Sequence, residues 1–516
     1  MSFRGFWSEA ESHPDRVALV CDDGSEVSYG QLADEQNRVA NGLRALGLQR
    51  GDRVVVELQN EPEFFEVALA TSQIGVYFVP VNFHSTGSDV AYILEDSRAS
   101  VFIVDEPFAA AVAEARPPFP AEEERRFVVG DAPGYRSYEK WKAGYSPDLP
   151  SDRTTGTTML YTSGTTGRPK GIHRALPDLS PEELYRLLAL IAQTQIGQPP
   201  DDAVQLVSGP LYHATPGGMA MIGLHLGHTV VLMDHWSPER TLELIDRYKV
   251  SYMHMVPTMF HRLLALPEQV RQRYDTSSLT RVLHGAAPCP VEDKRKMIDW
   301  WGPVIHEYYG SSEGGGTSVS TEEWLQRPGT VGRPWPGSTI KILREDGSEC
   351  EPGETGAVYM AMPGMNFEYH NAPDKTKANR RGDLFTVGDI GYLDDEGYLF
   401  LSGRTEEVII SGGVNIYPAE IEGVLLSHPV VADAAVIGVP NEEWGEEVKA
   451  VVALEDGYVE SAELAEELIA HARSNLARYQ VPRSVDFRSE LPRSALGKLL
   501  KNELRKDYWA DAGRAL

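Results

Sequence analysis

Four hydroxyl side chains, Thr162, Ser163, Thr165 and Thr166, are threaded with Gly164 and Gly167 and close on Lys170-Gly171. These types at this spacing suit a polyphosphate. Glycine lets backbone N–H groups turn toward one point, the hydroxyls add donors, and Lys170 adds a positive charge. The apolar lead-in Met159-Leu160-Tyr161 reads as the end of a strand. The loop differs from the nucleotide loop in which Ser or Thr follows the lysine, because Gly171 follows Lys170. An ordinary Ser/Thr/Gly surface loop is the alternative, and so many donors directly after a strand argue against it.

Such a loop needs a sheet behind it. Leu32, Val39, Leu43 and Leu46 recur at helical spacing, and Val54-Val55-Val56 follows as a strand entered through Gly51-Asp52. Phe64, Phe65, Ala68 and Leu69 predict a second helix, with strands at 76–81 and 101–104 around a short helix at 90–94. Apolar strands between amphipathic helices predict parallel α/β layers. Residues 106–157, rich in Pro, Glu and Ala, read as a connection with one strand at 127–129. The alternation then resumes, with strands at 204–207, 229–233, 252–256, 281–284 and 304–309, and with Ser237-Pro238 capping a helix. From about residue 330 short strands and turns such as Glu345-Asp346-Gly347 predict a β-rich subdomain, about 330–402. Residues 405–516 read as a small α+β domain, leaving 1–404 as a large N-terminal α/β domain.

A chain of 516 residues is too long for one core, and 42% apolar residues with 34 prolines spread through it indicate a globular protein. The formal net charge of −28 argues against nucleic acid and anionic membranes as partners. An anionic substrate must therefore be met by a local cluster of donors. Cys21, Cys289 and Cys350 share no short spacing, which suits a reducing cytoplasm and excludes a disulfide framework or a cysteine zinc site. Met1 to Asp15 lacks a basic segment followed by an apolar run, so no signal peptide is expected. No run approaches the ~18 apolar residues of a membrane span. A homodimer is one expected assembly.

Nine segments, in order, resemble the adenylate-forming superfamily of acyl-CoA synthetases, luciferases and peptide-synthetase adenylation domains. They are Thr162–Gly171, Pro210–His213, Val256–Thr258, Gly285–Ala287, Tyr309–Glu313, Gly329–Gly332, Thr386–Asp389, Gly403–Glu422 and Pro492–Lys498. Tyr308-Tyr309-Gly310 and the run Ile410 to Glu420 look most like acyl-CoA synthetases for fatty or polycyclic acids. The resemblance implies a two-step reaction. A carboxylate attacks the α-phosphorus of ATP to give an acyl-adenylate and pyrophosphate, and a thiol, usually CoA, then displaces AMP. It also implies a mobile C-terminal domain.

Carried over residue by residue, the resemblance implies that Thr162, Ser163, Gly164, Thr165, Thr166 and Lys170 hold the β- and γ-phosphates. Glu313 would bind Mg²⁺ bridging phosphate oxygens, as suits a hard carboxylate. Tyr309, with Tyr308, Gly310, Ser311 and Ser312, would line the nucleotide, and Gly285-Ala286-Ala287 would pass the other face of adenine. Glu307 would accept from the adenine amino group. Asp389 would accept from the ribose hydroxyls, and Arg404 would reach the ribose or phosphate. Ser312 stands where the family more often has Thr. Lys498 would carry charge to the carboxylate oxygen and α-phosphate. Glu406 matches the hinge, where Asp or Lys is usual. Gly412 and Gly413 match the pantetheine tunnel of CoA.

For the acyl pocket, His213 matches the family's gating histidine or aromatic residue, and the resemblance makes it catalytic together with Lys498, Thr166 and Glu313. Tyr212, Met219, Met221, Met255, Pro257, Met259 and Trp335 are apolar wall candidates, or core. Tyr212-His213-Ala214-Thr215 offers no carboxylate for an amine, which favours a fatty, aromatic or polycyclic acid over an amino acid. The expected activity is AMP-forming acyl-CoA ligation with ATP, Mg²⁺ and CoA. The alternatives are a single half-reaction, loading of a carrier protein, or a silent sensor.

Overall fold

The computed structural model describes residues 3–115, 123–162, 168–199, 202–441, 443–455, 457–493 and 499–509. Among them two parallel sheets form the body. One runs Arg136–Ser137, Arg126–Val129, Val101–Asp105, Arg53–Glu57, Tyr77–Pro80 and Thr157–Thr158, all parallel. The other has nine strands, with Ile305–Gly310, Arg281–His284, Tyr252–Met255, Val204–Val207, Thr229–Leu232 and Val17–Val20 parallel in that order and antiparallel edges on both sides.

Strand alternation explains the layers. Along Arg53–Glu57, Val54 and Val56 join one core cluster and Val55 another, so both faces of that sheet are covered. The first cluster also takes in Leu32, Val39 and Leu43 of helix Tyr29–Ala45, Phe64 and Phe65 of helix Pro62–Gln73, and Val230 and Leu232 of the nine-stranded sheet. One continuous core therefore holds the two sheets. Ser237 accepts from Arg240 N ahead of Pro238, as the cap pattern predicts.

The β-rich expectation from residue 330 corresponds to a largely antiparallel six-stranded sheet spanning Thr339 to Arg404. A separate sheet, built from strands between Ile409 and Phe487, is covered by helices Pro418–Leu426, Ala462–Asn475 and Lys501–Trp509. The segment 106–157 holds more structure than the single strand expected. Helices Glu106–Glu114 and Tyr138–Lys142 flank strand Arg126–Val129. Their signal is weak because they are short and Ala109 and Val112 are the buried residues of the first. No helix of the described residues is long and apolar enough to cross a membrane.

Helix Ala214–Leu226, which begins at the His213 motif, is anchored from the N-terminal side. Phe6 N donates to His225 Nδ1 at 3.1 Å, the Tyr185 ring stacks on His225, and Tyr29 donates to the carbonyls of Leu224 and His228. Burial pulls the His225 imidazole down to about 3 and that of His228 to about 4. Both are neutral when folded and take protons more readily when unfolded, near the ordinary value of about 6.5. Their contribution is complete above that value and is lost as pH falls toward the folded values. Unfolding free energy should drop between pH 7.5 and 5 by about 2 kcal/mol per histidine. Chemical denaturation at both pH values should show a smaller drop in His225→Gln. Equal drops in variant and wild type would contradict the assignment.

Candidate active site

Asp389 and Arg404 face each other in register on the antiparallel strands Asp389–Leu393 and Leu399–Arg404, which is why residues so far apart in sequence form a pair. Arg404 Nε lies 3.0 Å from Asp389 Oδ1. Tyr309, on the nine-stranded sheet, donates to Asp389 Oδ2 at 2.6 Å. Each carboxylate oxygen keeps acceptor capacity for a further donor. The three side chains line a cleft of about 1990 Å³ together with Thr162, Lys170 and Glu313.

Glu313 is buried, and Tyr369 donates to its Oε1 at 2.9 Å. Arg174 donates to Ser312 O and so holds the Ser311–Glu313 turn against strand Lys170–His173. Lys170 pairs in register with Thr162 and lies beside the Tyr369 ring. Burial, with Lys375 beside it, pulls the Lys170 ammonium down to about 8. Two lysines facing one cleft in a chain of net charge −28 make a local anion site. Ser163, Gly164, Thr165, Thr166 and Lys498 lie outside the described residues.

Gly285 leads out of strand Arg281–His284 against Tyr308. A Cβ there would stand 2.5 Å from the Tyr308 ring and 2.6 Å from its carbonyl oxygen, so only glycine fits. Ala286, at φ 69°, turns the chain so that Ala286 and Ala287 line the cleft. Gly310, Ser311 and Ser312 line it as well. Glu307 also reaches the cleft, but its Oε2 is held at 2.6 Å by the fully buried Lys294. Burial raises the Glu307 carboxyl and Lys294 opposes that rise. Tyr308 points to the opposite side of the strand from Tyr309, its hydroxyl near Thr215 and His254 rather than Asp389.

The expected apolar wall is largely core. Met255 and Met259 belong to the cluster behind the nine-stranded sheet, Met221 to the core shared by the two sheets, and Met219 packs on Tyr308. The reason is strand alternation: Met253 and Met255 face that cluster while His254, between them, lines the cleft. Tyr212 packs edge-on against Phe83, beside the His213 ring. His213, Pro257 and Trp335 do line the cleft. Burial, with His254 and His84 nearby, pulls His213 down to about 3, so it is neutral near pH 7.

The small domain closes the other side. Glu420, Asp433, Arg493, Leu499 and Lys501 line the cleft, and His261 of the large part lies 3.5 Å from Glu455. Arg493 and Leu499 pair across an isolated antiparallel bridge, and both line the cleft. Glu406, in the short turn Thr405–Glu407, also lines it, and its carbonyl accepts from Arg505. Gly412 and Gly413, at φ 59° and 81°, form the two-residue turn of the hairpin Ile409–Ser411 and Val414–Ile416 and stand exposed, away from the cleft lining. Sequence reading missed Arg174, Tyr369, Lys375, Thr215 and His254 as cleft or supporting residues. Tyr369 comes into place through pairing with Ile172 in a three-stranded sheet, a contact no local pattern announces.

The chain matches the family model of AMP-binding enzymes over residues 6–370 and that of the AMP-binding enzyme C-terminal domain over 420–498. It is 32% identical to a fatty acid–[acyl-carrier-protein] ligase, ScoC, of Streptomyces coeruleorubidus, over 98% of this chain and 96% of that protein. It is 34% identical to a feruloyl-CoA synthase of an Amycolatopsis species, over 94% of each. The solved structure of the anthranilate CoA ligase AuaEII in complex with anthranoyl-AMP matches with a TM-score of 0.87 at 25% identity, over 99% of this chain and 97% of that one. With both family models matched in order, and relatives of this identity along nearly its whole length, the chain belongs to the AMP-binding enzyme family.

Proposed function

We propose that this chain is an AMP-forming acid–thiol ligase, which activates a carboxylic acid with ATP and passes the acyl group to CoA. The observation that carries the reading is the convergence on one cleft of Lys170, Glu313, Tyr309, Asp389 and Arg404. Lys170, with Lys375, meets the β- and γ-phosphates; Asp389 takes the ribose hydroxyls; Arg404 pairs with Asp389 and adds a donor. Tyr309 lies along the adenine. A carboxylate oxygen of the acid attacks the α-phosphorus, and the bond from that phosphorus to the bridging oxygen of pyrophosphate breaks. Lys498 supplies positive charge to the oxygens that gather it. The thiolate of CoA then attacks the acyl carbon and AMP leaves. His213, held neutral by burial, shapes the acyl entrance.

Glu313 fits a magnesium ion. It is a buried carboxylate with one oxygen steadied by Tyr369. Glu313 would supply one carboxylate ligand; no group of three or more His, Cys, Asp or Glu among the described residues is placed to hold a metal. Bound there, Mg²⁺ would neutralise charge on the phosphates.

The test is a panel of fatty, aromatic and polycyclic acids with ATP and Mg²⁺, with CoA, with a phosphopantetheinyl carrier protein, or with neither. Pyrophosphate, AMP and thioester are measured separately. Acid-dependent AMP with CoA thioester is expected; thioester on the carrier protein alone would favour the carrier-loading alternative, and AMP release with no acid would refute ligation.

Asp389→Asn should weaken AMP binding by about 2–3 kcal/mol, because a charged acceptor of two hydroxyls is lost. Titration calorimetry beside a melting curve checks it, and unchanged affinity would remove Asp389 from the site. Lys498→Ala should abolish acyl-adenylate formation and spare thioester formation from a supplied acyl-adenylate; equal loss in both assays would contradict that division. At Gly413, Ala and Leu share the same positive-φ strain, and no atom lies within 4 Å of a Cβ placed there. If this exposed turn meets the pantetheine arm after the small domain moves, as the resemblance implies, Gly413→Leu should keep acid-dependent pyrophosphate release but lose CoA thioester, while Gly413→Ala keeps both. Loss of both activities in both variants would reduce the glycine to a turn former.

A further inference from the structure

Three elements bring polar side chains together on the His213 side of the cleft. Thr215 comes from helix Ala214–Leu226, His254 from strand Tyr252–Met255 and Tyr308 from strand Ile305–Gly310. The Tyr308 hydroxyl lies 2.8 Å from Thr215 Oγ1 and 3.2 Å from His254 Nε2. Behind Tyr308 the packing is apolar, from Met219, Tyr252 and Leu283. Two more polar atoms of the same lining, His213 Nε2 and Trp335 Nε1, are buried with no hydrogen-bond partner among the described residues.

A hydrocarbon tail laid here would lie against the Thr215–Tyr308–His254 chain and leave His213 Nε2 and Trp335 Nε1 without partners. Buried polar groups left without partners are destabilising, and native structures rarely keep several around one cavity. The chain Thr215–Tyr308–His254 is also reversible. If Tyr308 donates to His254 Nε2, the ring offers Nδ1–H; if Tyr308 instead accepts from Nε2–H, the ring offers the Nδ1 lone pair. It can therefore meet a group that both donates and accepts. Burial holds His213 and His254 neutral, pulling them to about 3 and about 4, and Glu307 on the neighbouring strand face is taken by Lys294. These rings suit a planar aromatic body.

We propose that Thr215, Tyr308 and His254 are specificity-determining residues that recognise a neutral hydrogen-bonding substituent, a hydroxyl or amino group, on an aryl carboxylic acid. This rests on the reading of the cleft as the place where an acid is activated. It narrows the expected fatty, aromatic or polycyclic acid to an aromatic one with a polar ring substituent.

The experiment compares hydroxylated and aminated aryl acids with methyl isosteres of the same shape, by acid-dependent ATP–pyrophosphate exchange and by calorimetric binding. Wild type should favour the polar acid in kcat/KM by about ten- to a hundredfold. Tyr308→Phe and His254→Leu should each bring that ratio close to one, mainly through KM of the polar acid, while the methyl acid is still turned over. His254→Gln, which retains an amide donor and acceptor, should restore part of the preference, and melting curves identify any variant that fails to fold. Equal or better use of the methyl isostere by wild type would overturn the proposal, as would equal losses for both acids in Tyr308→Phe. If no acid supports exchange, the activation reading fails, and calorimetry decides the inference alone. Tighter binding of the polar acid, lost in Tyr308→Phe, would sustain it; equal binding would overturn it.

Discussion

The cleft depends on where one carboxylate is held. Asp389 takes a hydrogen bond from Tyr309 of the nine-stranded parallel sheet and an ion pair from Arg404, the last residue of the last strand before the small domain. Burial raises the cost of its negative charge, and the two partners offset that cost. The same contacts tie the two sheets into one wall and leave acceptor capacity facing the cleft. Thr405 N, next along the chain, donates to Gly388 O, so the start of the connection to the small domain is fastened beside Asp389. Geometry at the Asp389 wall of the cleft and the path into the small domain are set together.

Charge is the second constraint. A chain of net charge −28 repels ATP and carboxylates at a distance, so attraction must be local. Lys170, Lys375, Arg174 and Arg404 provide it around Glu313 and Asp389. The depressed Lys170 ammonium fits this arrangement. Burial and the neighbouring Lys375 pull it down, while Glu406 and Glu313 oppose that pull.

Elements with strong local periodicity were legible in the sequence. The parallel strands and the helices between them fall where apolar alternation places them, and the motif residues Lys170, Glu313, Tyr309, Asp389 and Arg404 do meet in one cleft. The acyl side was less legible. Met255 reads as wall or core; it is core, because a one-residue step along the strand reverses the side chain and puts His254 in the cleft instead. Tyr308 and Tyr309 are adjacent in sequence and serve opposite faces for the same reason. Tyr369, Arg174 and Lys375 depend on pairings across long separations, which spacing along the chain does not encode.

An isotope experiment tests the central claim most directly. The acid, labelled with ¹⁸O in both carboxylate oxygens, is turned over with ATP and CoA, and the products are weighed by mass spectrometry. If the acid's own oxygen attacks the α-phosphorus, one label atom is transferred to AMP in each turnover and pyrophosphate carries none. Label in pyrophosphate or inorganic phosphate, or unlabelled AMP formed alongside thioester, would contradict activation through an acyl-adenylate.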